Sequence, residues 1–316
     1  MSVWTGHGGR LGAARAAWPD APTPWLDLST GINPCPWDIR AAGPIAWQAL
    51  PDDGALAALE ATAARMFGIP TDCLCAVPGS EMGLRLLATL GLPTPVHYVA
   101  PGYRTHGEAF ADSKPVPRSA IGAVSGTLLV ASPGNPDGRS VTRDELAGSG
   151  LRIIDEAFAD VSNGPSLFVD DGRTIVLRSF GKFFGLAGVR LGFVAAPRDL
   201  IARLRGRLGA WPVSAAAIAI GTAAYADTGW IAATRARLPL DAAALDRVLR
   251  RRGLTPAGQC PLFRLVDTSQ AATIFGRLAA AGILVRPFDA PSTWLRFGLP
   301  PDPSALDRLD RALAHG

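Results

Sequence analysis

The sequence predicts an α/β protein, with a mainly parallel sheet in a large domain and a smaller α+β domain beside it. Three observations lead there. Strand-like and helix-like segments alternate from about Cys75 to Ala195, the pattern of a mainly parallel sheet covered on both faces. The polar candidates of that region fall at strand ends, the edge where open α/β sheets bind ligands. After Pro197 the pattern changes to helical segments followed by short strands. Residues 40–225 are expected to form the large domain, and residues 1–39 with 226–316 the small one.

The 316 residues are 48% hydrophobic and 18% charged, a globular balance. The formal charge is +4 and the pI about 9.2. The excess is spread along the chain, mostly as arginine, so it suits a small anionic substrate better than nucleic acid. Cys35, Cys73, Cys75 and Cys260 have no zinc-knuckle spacing. They read as reduced thiols of a cytoplasmic protein. No basic-then-apolar leader opens the chain, and no apolar run reaches a membrane span. Four histidines make a multi-histidine metal site a poor expectation, so no metal is expected.

The elements follow in order. Thr5-Gly-His-Gly-Gly leads into a short helical piece from Leu11 to Trp18. His7 is either an ordinary loop histidine or a donor to an anion among glycines that admit close backbone approach. Trp25 to Pro34 reads as a strand entering a glycine turn and includes Asn33. Asp53 to Phe67 is helical by its alanine-rich pattern. Cys75 onward reads as strand, glycine turn, helix, so Gly79, Ser80 and Glu81 stand where a helix begins. Free N–H groups there make an anion site, although Ser80 as a plain cap fits equally. Val96 to Tyr103 is a strand ending at an aromatic that could stack on a flat ring. Thr127 to Ser132 runs into a turn holding Asn135, and Leu151 to Ile154 delivers Asp155. Helices are expected over Arg198–Gly209, Val213–Ala226, Trp230–Arg251, Thr273–Ala281 and Ser304–Ala314. Short strands are expected around Phe263, at Ile283–Arg286 and around Trp294–Arg296.

The strand Thr174–Leu177 opens onto the densest stretch of chemistry, ending at Phe193. Ser179 is followed by Lys182 and then by Arg190. Aromatic and glycine neighbours desolvate an amine and favour its uncharged form, which reacts with carbonyls. Ser179 and Arg190 could hold a phosphate beside that carbonyl. A carbonyl and a phosphate on one molecule suggest pyridoxal 5'-phosphate, PLP. A loop lysine and an acid-paired arginine fit the same spacing. Other chemistries lack their motifs: no Gly-x-Gly-x-x-Gly joins a strand to a helix, and neither a phosphate-loop Gly-Lys-Ser/Thr, a Gly-x-Ser-x-Gly elbow nor His-Glu-x-x-His occurs.

Together these segments resemble the fold-type I PLP-dependent enzymes of the aspartate-aminotransferase superfamily, in order and over almost the whole chain. The resemblance implies Lys182 as the lysine that binds PLP and Ser179 and Arg190 as phosphate contacts. It implies Asp155 for the pyridine nitrogen, Asn135 for the ring hydroxyl, Tyr103 as the stacking aromatic, and Gly79, Ser80 and Glu81 as the phosphate-binding helix start. Arg296 matches the late arginine that grips a substrate carboxylate. His-Gly-Gly and Asp-Leu-Ser-Thr-Gly-Ile-Asn-Pro resemble the threonine-phosphate decarboxylase family of cobalamin biosynthesis, whose near relatives are the histidinol-phosphate aminotransferases. That likeness implies a substrate phosphate held by His7, Arg286 and Asn33, roles the two arginines could exchange. Phe158 stands where aminotransferases usually carry tyrosine and where the decarboxylases also have phenylalanine, which favours the decarboxylase. A homodimer follows from the resemblance, but Pro51-Asp-Asp-Gly-Ala-Leu lacks the tyrosine that relatives send into the partner's site. An aminotransferase of the histidinol-phosphate type is the alternative. A non-catalytic DNA-binding regulator of this fold would need a further domain for which the chain has no room.

Overall fold

The computed structural model describes residues 3–314. Residues 1–2 and 315–316, the outer ends of the expected small domain, lie outside the described residues. The chain forms two compact units. One holds residues 36–135 and 140–235; the other holds residues 1–35, 136–139 and 236–316.

The first unit is built on seven strands: β1 (Leu74–Val77), β2 (Val96–Val99), β3 (Lys114–Val116), β4 (Thr127–Ala131), β5 (Leu151–Asp155), β6 (Thr174–Ser179) and β7 (Gly192–Ala195). Their order in the sheet is β1-β7-β6-β5-β4-β2-β3. Pairing is parallel from β6 across to β3, and β7 is antiparallel to both of its neighbours. Every residue of β1 and β7 is buried, and most of β4, β5 and β6. Strands covered on both faces read as continuous apolar runs for this reason. Helix α1 (Asp53–Phe67) starts where the Asp52 carboxylate accepts from the Ala55 N–H at 2.8 Å, and stops at Gly68 in the left-handed conformation. Helix α2 (Ser80–Leu87) lays Leu84 and Leu87 into the core with Val77, Leu177 and Val194. Their spacing of three puts them on one face.

Beyond the sheet come α3 (Arg104–Ala109), the short α4 (Phe180–Phe183), α5 (Arg198–Leu208) and α6 (Ala215–Ala226). In the second unit, β8 (Pro256–Ala257), β9 (Phe263–Asp267), β10 (Arg286–Pro287) and β11 (Trp294–Gly298) form an antiparallel sheet ordered β10-β11-β9-β8. Leu26–Asp27 pairs in parallel with Ile283–Leu284, which ties the N-terminal segment to this unit. Among the described residues no helix is long and apolar enough to cross a membrane.

Candidate active site

In the first unit the strand order decides what meets. β6, β5, β4 and β2 are consecutive neighbours, so their C-terminal ends line one edge. Asp155 ends β5, in register with Ala131 and Leu177. Ser179 ends β6, and Lys182 follows on α4. Tyr103 and Asn135 sit on the loops after β2 and β4.

At the end of β1, Gly79 has φ +95°, and a Cβ there would lie 2.7 Å from Arg190 Nη2. Gly192 pairs with both Val77 and Ser179, and a Cβ on it would lie 2.4 Å from the Ser80 nitrogen. Side chains are thus excluded where the start of α2, the end of β6 and the Arg190 guanidinium converge. Arg190 itself holds φ +57°, a strained state for a residue with a side chain and one that clusters at functional sites. First-turn N–H groups plus a guanidinium fork match a phosphate. Glu81 fits there through its backbone alone. Its carboxylate pairs with Arg85 at 3.1 Å and accepts from the Tyr103 hydroxyl at 3.3 Å.

Asp155 is buried, with Oδ2 3.1 Å from His106 Nε2, while Oδ1 accepts from the Ala157 N–H at 3.0 Å. His106, 2% exposed, meets Tyr103 edge-to-face at 5.5 Å. Sequence reasoning missed His106. Its one signal was its place three residues after Tyr103, because Asp155 is 49 residues away. Burial, reinforced by the nearby Glu81 and Asp155 charges, pushes the Tyr103 hydroxyl up to about 12. Lys182 Nζ lies 5.9 Å from the centre of the Phe158 ring. Beneath α4, Phe180 stacks on Phe184 at 4.6 Å, and both meet Tyr225 edge-on. Phe180 and Phe184 are fully buried, so the half-buried Lys182 is carried on a segment anchored in an apolar cluster.

The second unit gathers the remaining candidates. Arg286 and Arg296 are cross-strand neighbours. Arg286 Nη2 donates to the carbonyls of Thr5 and Gly6 at 3.1 and 2.7 Å, beside His7. Arg296 Nη2 donates to the Ser29 carbonyl at 3.0 Å, and the Ser29 hydroxyl accepts from the Gly9 N–H at 2.8 Å. Burial above all, and then the charge of Arg286, lowers Arg296 to about 9. A buried cation beside a second, half-buried one favours an anion. Asn33, 1% exposed, accepts at Oδ1 from the Cys35 N–H at 3.1 Å and from Arg237 Nη2 at 2.8 Å.

The fold and the Lys182 edge place this molecule among the aminotransferase-like α/β enzymes, and the family comparison agrees. The model of the aminotransferase class I and II family matches residues 118–313, and the chain belongs to that family. It is 39% identical to a threonine-phosphate decarboxylase from Sinorhizobium sp, over 99% of each chain. It is 37% identical to a threonine-phosphate decarboxylase from Pseudomonas aeruginosa, over 97% of this chain and 96% of that one. Among solved structures, a histidinol-phosphate aminotransferase from Sinorhizobium meliloti in complex with PLP superposes with a TM-score of 0.81. The two are 20% identical, with 96% of this chain and 92% of that one covered.

Proposed function

We propose that this chain is a PLP-dependent decarboxylase that converts L-threonine O-3-phosphate to (R)-1-aminopropan-2-yl phosphate and carbon dioxide, in cobalamin biosynthesis, as a cytoplasmic homodimer. The observation that carries this reading is 39% identity to a threonine-phosphate decarboxylase across 99% of both chains. Phe158 beside Lys182 accords with it.

The residues fit the cofactor. The cradle of Gly79, Ser80, Glu81, Ser179 and Arg190 suits its phosphate, because a Cβ at Gly79 or Gly192 would fill that space. Asn135 is assigned the ring hydroxyl and Tyr103 the ring face. Bound PLP supplies an electron-poor ring that draws charge from the bond broken at the substrate's Cα.

Asp155, held by His106 and the Ala157 N–H, keeps a proton on the pyridine nitrogen, because a nearby negative charge favours the charged form. Lys182 supplies the amine that anchors the cofactor aldehyde and returns a proton to Cα after the carboxylate departs. In the second unit Arg296 is assigned the substrate carboxylate, and His7, Asn33 and Arg286 the substrate phosphate. That phosphate gives remote binding energy for holding the carboxylate in the reactive orientation.

The test is carbon dioxide release from threonine phosphate by the PLP-loaded protein. Release without accumulation of pyridoxamine phosphate is expected. Pyridoxamine formation without carbon dioxide would establish an aminotransferase instead. Lys182→Ala should lose activity by about a thousandfold or more, and borohydride should leave a phosphopyridoxyl tag on Lys182 in the wild type.

A further inference from the structure

Within the second unit, the segment Asp27-Leu-Ser29 and the loop from Thr5 to Gly9 meet at one hydroxyl. The Ser29 hydroxyl donates to Asp27 Oδ1 at 2.6 Å, and the Ser29 N–H donates to the same oxygen at 2.9 Å. With its proton committed to Asp27, the hydroxyl can only accept from the loop, and it takes the Gly9 N–H at 2.8 Å. Two glycines make that seat. A Cβ on Gly8 would lie 2.4 Å from the Ser29 carbonyl oxygen, and Gly9 holds φ +76°. The same Ser29 carbonyl accepts from Arg296 Nη2 at 3.0 Å. Ser29 is buried, and the residue before it is bonded on both sides. The Leu28 N–H donates to the Leu284 carbonyl, and the Leu28 carbonyl accepts from the Gly298 N–H, each at 2.7 Å. One fixed residue therefore gives two supports: its hydroxyl seats the loop that carries the half-buried His7, and its carbonyl holds Arg296.

We infer that Ser29, with its hydroxyl set by Asp27, is a positioning residue that seats the His7 loop for the substrate phosphate, and so selects a phosphorylated amino acid over its unphosphorylated form. This rests on the assignment of the substrate phosphate to His7 and of its carboxylate to Arg296. The other end of the loop is held separately, by Arg286 at the Thr5 and Gly6 carbonyls. Losing the Ser29 hydroxyl therefore loosens one end of a two-point clamp. Ser29→Ala separates the two supports, because it removes the hydroxyl and keeps the carbonyl that holds Arg296. Gly9 is exposed, so water takes up its released N–H and the fold survives the change.

Titrations of the PLP-loaded protein with inorganic phosphate and with L-threonine test this. Ser29→Ala should weaken inorganic phosphate about fivefold, the size of one hydrogen bond, and leave L-threonine within twofold. Asp27→Ala frees the Ser29 hydroxyl to turn and should weaken phosphate to a similar extent. Asp27→Asn keeps an acceptor and should recover most of that loss. Ser29→Ala combined with His7→Ala should be no weaker than His7→Ala alone, because one residue works through the other. Additive losses, equal losses for both ligands, no loss in Ser29→Ala, or no recovery in Asp27→Asn would each overturn the inference. No loss of phosphate in His7→Ala would overturn it together with the phosphate assignment. Absence of carbon dioxide release by the wild type would strike the decarboxylase reading alone, since the titrations need no turnover.

Discussion

At the scale of single residues, Arg296 sets a pH dependence. Burial and its cross-strand neighbour Arg286 hold it at about 9 in the free protein. Below that pH it is charged, the form that the proposed grip on a substrate carboxylate requires. Above it the guanidinium loses its proton, and the affinity for an anionic substrate should fall. A KM profile from pH 7 to 10.5 should rise past about pH 9, and a flat profile would show that Arg296 keeps its proton over that range. For folding the sign is reversed. Between about 9 and the ordinary 12.5 the unfolded chain holds a proton that the folded chain has lost. Taken alone, then, Arg296 makes the fold more stable as pH climbs through that window. His106 belongs to the same scale. Neither its helix nor its spacing named Asp155 as its partner, because the contact exists only once β5 and α3 are in place.

At the scale of elements, a buried ionic cluster ties the ends of β5 and β6. Arg178 donates from Nη1 to Glu156 at 2.6 Å and from Nη2 to Asp160, and lies 4.3 Å over the Phe67 ring. Glu156 also accepts from the Ser166 hydroxyl and the Leu167 N–H. Burial opposes charge on Arg178, but the two carboxylates outweigh it and raise its pKa. Arg178→Met leaves two buried carboxylates without their cation and should cost about 3–5 kcal/mol in urea unfolding. Adding Glu156→Gln and Asp160→Asn should recover much of that loss, because the cluster's net worth is far smaller than the cost of breaking it. Parallel strands with the candidate residues at their ends were legible in the sequence, since apolar runs, glycine turns and helical patterns alternate. The antiparallel course of β7 was not, because a fully buried apolar run of four residues has no sign of direction. The edge strand β3 was also hidden. Its Lys-Pro-Val shows no alternation, and the neighbouring strand alone defines it.

At the scale of the whole molecule, the first unit leaves Ile39, Trp47 and Leu50 half or more exposed, Trp47 at 76%. Exposed apolar side chains that form a patch can mark association, and these are the ones the proposed homodimer would cover. Sedimentation should give about twice the 32.9 kDa chain mass, and Trp47→Asp with Leu50→Asp should bring it down toward that mass. A wild-type monomer would dismiss the homodimer. The sequence could not place residues 136–139, which belong to the second unit although they lie in the loop after β4, between stretches of the first. Gly138 packs there against Gln259 and Cys260, partners more than a hundred residues downstream. One further consequence lies in two adjacent acids. Asp155 meets His106, while Glu156 serves Arg178. Glu156 follows the last residue of β5, and its N–H still bonds the Leu177 carbonyl of β6 at 2.9 Å. Successive residues of extended chain point to opposite sides, so a slip of one position would exchange the two acids, and fidelity of folding and competence for chemistry stand or fall on the same alignment.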